Sequence, residues 1–156
     1  MTSTDLVLRP AEAVDASAVA AVHLSARHAA VPLMPAPVRP DDEVRAWLSA
    51  RLAAPAEGEE VWVAEVAGRV VGYARMTATW LDDLYVAPGT QRSGVGSALL
   101  DLVKALRPQG FGLWVFESNV PARAFYRRHG LVESERTDGS GNEERAPDVR
   151  MDWLPG

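Results

Sequence analysis

Residues 84–106 read LYVAPGTQRSGVGSALLDLVKAL and constrain the fold most, because they pass from a strand through a turn directly into a helix. Residues 84–86 are apolar and end a strand, and residues 87–90 contain the proline and glycine of a turn. The N–H groups at such a helix start have no partners within the helix and lie at the positive end of its dipole, so they suit a phosphate or pyrophosphate. The predicted helix carries its apolar residues on one face: Val95, Leu99, Leu102, Val103 and Leu106.

Two well-known phosphate motifs differ from this segment. A Walker A loop ends in Gly-Lys-Ser/Thr, whereas Gly96 is followed by Ser97 and an alanine. A dinucleotide fingerprint needs a third small residue where Leu99 stands. The pattern that remains is Gln91-x-x-Gly94-x-Gly96 behind a Leu-x-Val strand. Taken alone, the two glycines are equally compatible with plain packing or turn residues.

A second motif, downstream of the glycine loop, helps to decide between these interpretations of the two glycines. Residues 119–131 read NVPARAFYRRHGL and follow the glycine loop with one predicted strand between them. The first motif resembles the acyl-CoA pyrophosphate loop of the GNAT superfamily of N-acyltransferases, and the second resembles that family's N-x-x-A-x-x-F-Y-x-x-x-G-F/L motif. The motifs and the strand that links them cover residues 81–131, about a third of the 156-residue chain. Two motifs in this order and spacing are far more specific than either alone.

The flanking sequence predicts one domain over residues 1–156, with the order β-α-α-β-β-β-α-β-α-β-β. The resemblance implies a GNAT-like mixed α/β fold: a mostly antiparallel sheet of six to seven strands with one splayed parallel pair, and helices on both faces. Periodicity predicts helices near residues 15–30, 41–53, 95–106 and 121–129, and strands near 6–10, 61–66, 69–76, 80–86, 111–116, 131–136 and 149–154.

Charge and composition exclude several classes of function. The formal net charge of −5 argues against nucleic-acid binding, and with it against a toxin-type transferase acting on tRNA. No apolar run is long enough for a membrane span, and the start of the chain does not resemble a signal peptide, so a cytoplasmic location is expected. The absence of cysteine excludes disulfides, thiolate metal sites and a cysteine acyl-enzyme. His23 and His28 lack acidic partners at ligand spacing, so no metal is expected and structural or surface roles are favoured.

Acidic residues cluster at 57–60, at 82–83 and from 133 to 144. One interpretation is that these clusters are solvated loops. The other is that some of the carboxylates attract a cationic amine.

The resemblance implies acetyl-CoA as co-substrate. The strand at Leu84, Tyr85 and Val86 would pair with the pantetheine arm through free backbone groups. The pyrophosphate would lie on backbone N–H groups between Arg92 and Ser97, with the Gln91 side chain over it. Arg92 would add charge there or stay solvated. The residues implied in cofactor binding are therefore Leu84, Tyr85, Val86, Gln91, Arg92, Ser93, Gly94, Val95, Gly96, Ser97, Asn119, Ala122, Phe125 and Tyr126.

Tyr126 matches the position that serves many relatives as the general acid for the departing thiolate, although it could instead only pack against the cofactor. A phenol with a pKa of about 10 remains protonated at neutral pH and can donate to a thiolate. Asn119 resembles a residue that bonds the cofactor arm or caps the helix. No acyl-enzyme nucleophile is evident, so direct transfer in a ternary complex is expected, with the thioester carbonyl polarised by the backbone N–H of Val86.

The general base is not defined by a motif. Some relatives place a glutamate on the strand before the Asn motif, where this chain has Trp114. Asp83, Glu143 and Glu144 are the candidates, and a water chain is the alternative. The proline-rich segment 32–40, with Leu33, Met34 and Val38, is implied in the acceptor pocket. The helical pattern favours a core position for Trp47, and acceptor binding is the alternative.

The expected activity is acetyl-CoA-dependent N-acetyl transfer to a primary amine, more readily a small cationic molecule than a protein. The alternatives are acetylation of protein N-termini or lysines, and a non-catalytic acyl-CoA-binding module such as a sensor. A homodimer is frequent in proteins that look like this.

Overall fold

The computed structural model describes residues 5–90 and 93–155. Its elements follow the predicted order, with one added 3-10 turn, Ala13–Asp15, before the first helix. The strands are β1 (Leu6–Pro10), β2 (Glu60–Val66), β3 (Arg69–Met76), β4 (Leu81–Val86), β5 (Phe111–Phe116), β6 (Val132–Thr137) and β7 (Asp148–Trp153). The helices are α1 (Ala16–Ala30), α2 (Asp41–Ala53), α3 (Val95–Leu106) and α4 (Val120–Arg128).

The first four strands form an antiparallel sheet in the order β1-β2-β3-β4. β2 and β3 are joined by a two-residue turn in which Ala67 and Gly68 both have positive φ, 53° and 75°. This is the backbone geometry that a tight hairpin requires.

The last three strands form a second antiparallel sheet in the order β5-β7-β6. The two sheets meet at one parallel bridge, between Trp80 and Gly112, where the Gly112 N–H donates to the carbonyl of Thr79 at 2.9 Å. Gly112 has no side chain to hold the Trp80 ring away, since a Cβ there would lie 2.9 Å from it. β4 and β5 are therefore the predicted splayed parallel pair, because they start as parallel neighbours and then separate.

Each face of the first sheet packs on a different pair of helices. On one face, Tyr73 and Val63 pack against Val19 of α1 and Leu48 of α2. The other face packs on the larger core, which contains α3, Tyr126 of α4 and residues of the second sheet. Helices on both faces, with seven strands in the predicted order, confirm the predicted fold class.

A buried carboxylate joins the start of α1 to the first strand. Asp15 accepts two hydrogen bonds from Arg9 of β1, both at 2.8 Å. The carboxylate therefore ties the edge strand to the helix. Among the helices of residues 5–90 and 93–155, none is long and apolar enough to cross a membrane.

Candidate active site

β4 presents an unpaired backbone edge where it leaves β5. The Ala87 N–H donates to Val71 at 2.8 Å, and hydrogen-bonded pairs alternate along an antiparallel ladder. The N–H and C=O groups of Leu84 and Val86 consequently point away from β3, toward the gap before β5. Among the described residues, no strand pairs with this edge beyond Trp80. The edge can therefore accept an extended amide-bearing ligand as an added strand.

The gap opens into a cleft of about 670 Å³, here called the β4–β5 cleft. Its walls are β4, β5, the start of α4 and the end of α1. Leu33 and Met34 of the predicted acceptor segment also line it. Eight of the residues implied in cofactor binding line this cleft: Leu84, Tyr85, Val86, Gly96, Asn119, Ala122, Phe125 and Tyr126.

The start of α3 supplies N–H donors that the helix itself does not use. Gly94 caps the helix with φ of +85°, and the first helical bond runs from the Ala98 N–H to the Gly94 carbonyl at 3.0 Å. The N–H groups of residues 95–97 come before that bond and have no acceptor within the helix. Ser93 contributes no free N–H, since it donates to Thr90 at 3.1 Å. Gln91 and Arg92, both predicted cofactor residues, lie outside the described residues.

Gly96 lies where the start of α3 meets α4 and β4. A Cβ at Gly96 would be 3.6 Å from Phe125 and 3.7 Å from Val86. The side chains on either side of Gly96 are already engaged, since Val95 is buried in the core and the Ser97 hydroxyl lies 3.1 Å from Nε2 of His129. Only the backbone of these residues is left to bind an anion.

Tyr126 is buried at the wall of the cleft. Burial, with smaller contributions from Tyr85 and Asp83, raises the pKa of its phenol above the ordinary value, so the group stays protonated at neutral pH. Its hydroxyl has no hydrogen-bond partner among the described residues and is therefore available to a ligand. Asn119 caps α4, its Oδ1 accepting from the Ala122 N–H at 3.4 Å.

A second cavity, the α1–α2 cavity, has a volume of about 650 Å³ and adjoins the cleft. Arg27 and Glu144 line both spaces and form an ion pair of 3.6 Å between them. Trp47 is 45% exposed and forms part of the cavity wall, so the prediction that it is a core residue is wrong. The cavity combines apolar and charged side chains: Leu24, Pro37, Val38, Val44 and Trp47 with Glu43, Glu143, Glu144, Arg27 and Arg39.

The three predicted base candidates have different surroundings. Oδ2 of Asp83 accepts from the Tyr73 hydroxyl at 3.0 Å and from Nε of Arg75 at 2.8 Å. Glu143 pairs with Arg39 in an exposed ion pair. Glu144 is the more enclosed of the two loop carboxylates and reaches both spaces. All three base assignments stay predictions.

Sequence reasoning missed the side chains around Asp83. Tyr73 stands opposite Tyr85 and Arg75 opposite Asp83 in the β3–β4 register, so these four side chains share one face. His23 reaches them from α1, with Nδ1 at 2.7 Å from the Tyr73 hydroxyl. The hairpin register offered a signal for the strand residues. Nothing local pointed to His23.

The described residues contain no group of three or more His, Asp or Glu side chains arranged to hold a metal ion. The chemistry available in the cleft is instead a backbone edge, helix-terminal N–H groups and a protonated phenol. A site of this kind is suited to a phosphate-bearing, amide-bearing ligand that lies along β4 and requires a proton donor.

Comparison with known proteins agrees with this description. Residues 57–133 match the family model described as an acetyltransferase (GNAT) domain. Over 95 residues, 59% of this chain, the sequence is 36% identical to the peptidyl-lysine N-acetyltransferase YiaC of Escherichia coli, and the match spans 62% of YiaC. The apo form of YjaB from Escherichia coli superposes with a TM-score of 0.77 at 18% identity, covering 97% of this chain and 99% of YjaB. The PaiA N-acetyltransferase of Thermoplasma acidophilum in complex with coenzyme A gives 0.71 at 15% identity, over 96% and 99%.

The match to the family model identifies residues 57–133 as a GNAT acetyltransferase domain. The two structural neighbours support the fold, and the match to YiaC covers less than two thirds of that relative's length.

Proposed function

We propose that this chain transfers the acetyl group of acetyl-CoA directly to a primary amine, and that the acceptor is a small cationic molecule. The observation that carries the proposal is the open edge of β4 facing Tyr126 across a cleft that ends at the start of α3. A backbone edge, an anion-binding helix start and a proton donor are the three things that acetyl-CoA chemistry needs from a protein.

The residues fit acetyl-CoA in order along the cleft. The N–H groups of residues 95–97 suit the pyrophosphate, and Gly96 lets a ligand approach the helix start closely. Leu84 and Val86 offer their backbone groups to the amides of the pantetheine arm, and the Val86 N–H is placed to polarise the thioester carbonyl. Tyr126 lies on the same cleft and keeps its proton at neutral pH, as a donor to the departing thiolate requires.

The α1–α2 cavity supports a cationic acceptor. Three carboxylates, Glu43, Glu143 and Glu144, line it together with two arginines, and Trp47 offers an aromatic face to the carbon skeleton or the charge of an amine. YiaC is a peptidyl-lysine N-acetyltransferase. A lysine side chain presents the same alkylammonium group, so a protein lysine is the competing acceptor.

Thermal unfolding in the presence of ligands tests whether the chain binds acetyl-CoA. Acetyl-CoA and CoA at about 100 times Kd should each stabilise the native state by about 2.7 kcal/mol, whereas ATP, which lacks the pantetheine arm, should have a much smaller effect. No shift with acetyl-CoA at millimolar concentration would overturn the assignment.

Release of CoA thiol tests whether the acetyl group is transferred and which amine accepts it. Acetyl-CoA would be offered with 2-phenylethylamine, spermidine or Nα-acetyl-lysine amide. Release of CoA with either free amine, at a higher kcat/KM than with the lysine amide, supports a small acceptor. Preference for the lysine amide favours protein acetylation, and binding without turnover on all three favours a sensor.

A further inference from the structure

A chain of hydrogen bonds runs from α1 into the first sheet beneath the α1–α2 cavity. Nδ1 of His23 lies 2.7 Å from the hydroxyl of Tyr73, and that hydroxyl lies 3.0 Å from Oδ2 of Asp83. Nε of Arg75 donates to the same Oδ2 at 2.8 Å. Tyr73 is fully buried, so its hydroxyl depends on these two partners.

Counting donors along this chain fixes the proton on the imidazole. The carboxylate of Asp83, paired with Arg75, can only accept hydrogen bonds. Tyr73 has a single O–H, which it donates to Asp83, so its oxygen must accept from Nδ1–H of His23. In a neutral imidazole with a proton on Nδ1, the lone pair is on Nε2.

That lone pair is not used elsewhere in the protein. Nε2 of His23 has no hydrogen-bond partner among the described residues, where the only fully buried unpaired side-chain N and O atoms are Nε of Arg27 and Nε of Arg51. Nε2 is therefore accessible, and His23 lines the α1–α2 cavity. The imidazole also packs edge-on against Tyr85, with centroids 4.7 Å apart, and Tyr85 lines the β4–β5 cleft. His23 thus stands where the two spaces adjoin.

We propose that His23 is a catalytic residue, whose Nε2 takes the proton from the alkylammonium group of an amine bound in the α1–α2 cavity. The assignment rests on the proposed acetyl transfer. Tyr73 and Asp83 are positioning residues, which hold the imidazole in the tautomer that can accept at Nε2. Asp83 would thus act through His23, and not as the base itself.

The proposed transfer needs no reactant other than acetyl-CoA and the ammonium group. The ammonium gives one proton to Nε2, and the free amine forms a C–N bond to the thioester carbon. The C–S bond breaks, and the sulfur leaves with the proton of Tyr126. The nitrogen then loses its second proton, which restores the Tyr126 phenol, and the His23 imidazolium releases its proton to solvent. The net products are an amide, CoA thiol and one proton.

The surroundings of His23 favour the neutral imidazole. Burial lowers its pKa below the ordinary 6.5, Asp83 acts in the opposite direction, and Arg27 and Arg75 lower it further. The other polar groups that line the cavity or contact the ring are Tyr73, Tyr85, Glu43, Arg39, Glu143 and Glu144. Because the pKa is lowered, the base is available throughout neutral pH, and activity should fall only on the acid side of 6.5.

The test variant is His23→Asn. Its side-chain amide can still donate to Tyr73 from near the position of Nδ1, while the group corresponding to Nε2 is removed. The control is His28→Asn, since His28 lies on the same helix and pairs at 3.0 Å with Asp41 on the exposed surface. Thermal shifts with acetyl-CoA show that each variant is folded and binds.

We expect His23→Asn to lower kcat/KM by about 100-fold at pH 7 with each amine that the wild-type chain acetylates. Without the base, the rate should follow the free-amine fraction, which rises toward the ammonium pKa of about 10.4. The ratio of wild type to variant should therefore shrink steadily between pH 7 and 9.5. A loss that is constant with pH, or no loss, would overturn the assignment.

Nitrogen NMR of the imidazoles tests the tautomer without an acceptor. The chain has three histidines, so the two variants assign the spectrum. At pH 7.5 we expect His23 to carry its proton on Nδ1, and to shift to the Nε2–H form in part in Tyr73→Phe. An imidazolium, or an Nε2–H tautomer in the wild type, would contradict the proposal. Absence of CoA release by the wild-type chain with every amine would instead overturn the proposed function itself.

Discussion

The β4–β5 cleft and the α1–α2 cavity adjoin each other but are built by different means. The cleft offers mainly backbone groups, supplied by β4 and by the start of α3, and its motif residues lie within residues 84–126. The cavity offers side chains from α1, α2, the segment between them and the β6–β7 loop, which are far apart in sequence. A backbone site requires particular residues at fixed spacing, whereas a side-chain site can be assembled from any elements that meet in space.

The two regions are also held in place by different forces. The cleft wall belongs to the larger apolar core, through Val86, Phe125 and Tyr126. Behind Trp47 of the cavity wall lies an ionic network. Glu59 accepts from Arg51 at 2.8 Å and from Arg75 at 3.1 Å, and Arg75 continues to Asp83. Trp47 covers this network, with its ring centre 4.8 Å from the Arg75 guanidinium carbon.

The largest expected effect is a loss of stability in Glu59→Gln, which removes one charge from the ionic network. The Glu59 side chain is fully buried, and removing its charge leaves Arg51 without its carboxylate partner and Arg75 with Asp83 alone, so the free energy of unfolding should fall by about 3 kcal/mol. The matched control is Glu60→Gln, whose half-exposed carboxylate pairs with Arg107 and should matter by less than about 1 kcal/mol. Denaturant unfolding measures both. Equal losses in the two variants would show that the buried network stabilises the protein no more than an exposed ion pair does.

The same pair of variants has a predictable pH dependence. Burial alone would raise the pKa of Glu59, but hydrogen bonds from Arg51, the Ala56 N–H and Arg75 hold it below its ordinary value of 4.5. A lowered pKa means that the stabilisation is complete above pH 4.5 and is lost as the pH falls through the lower folded-state value. The difference in stability between wild type and Glu59→Gln should therefore narrow in acid.

The second largest expected effect is a lower kcat in Tyr126→Phe, which removes the proposed proton donor of the cleft. Losing the proton donor should lower kcat by about 100-fold, which corresponds to about 2.7 kcal/mol of barrier. Binding of acetyl-CoA, followed by thermal shift, should change little because the ring still packs in the core. The control is Tyr85→Phe, which removes a phenol from the same cleft but not the proposed acid. A Tyr126→Phe enzyme with unchanged kcat would contradict the general-acid role.

The sequence predicted the cleft better than the cavity, for physical reasons visible at single residues. Gly94 occupies a position of positive φ, and Gly96 and Phe125 stand in contact at fixed spacing from it, so the motif is informative. Glu59 lies in an acidic cluster for which solvation and acceptor binding were the two interpretations. Neither fits a buried carboxylate between two arginines.

Two helical residues, His23 and Trp47, were also hard to place from the sequence, because their positions depend on contacts with other elements. The apolar pattern of α2 predicts Trp47 inward, but the inner face is filled by Leu48 and Leu52, and Trp47 instead covers Arg75. His23 lies among buried apolar residues of α1, and its partner Tyr73 is fifty residues away. The separation of β4 from β5 likewise depends on a contact across the chain, between Trp80 and Gly112.

The third effect compares a glycine at the cleft with one outside it. Gly94→Ala and Gly58→Ala both place a side chain at positive φ, +85° and +76°, with open space around the Cβ. Each should therefore lose about 1 kcal/mol of stability. Only Gly94→Ala should also weaken acetyl-CoA binding, by about tenfold, because it distorts the start of α3. Isothermal titration measures the difference, and equal affinities in the two variants would argue that the pyrophosphate does not bind at this helix.

The smallest effect separates two neighbouring carboxylates of the cavity. Glu144 has a side chain 16% exposed and lies between the two spaces, whereas Glu143 is 52% exposed and pairs with Arg39 at the surface. Attraction between charges weakens with solvent exposure, so Glu144→Gln should raise KM for a cationic amine by about threefold and Glu143→Gln by less. KM for acetyl-CoA should not change in either variant. Both substitutions remove the same charge from adjacent positions. Equal increases in KM for the amine would therefore mean that it is attracted by the total charge of the loop and not by one carboxylate. A larger effect at Glu144 would place the ammonium group at the boundary where His23 and Tyr85 meet.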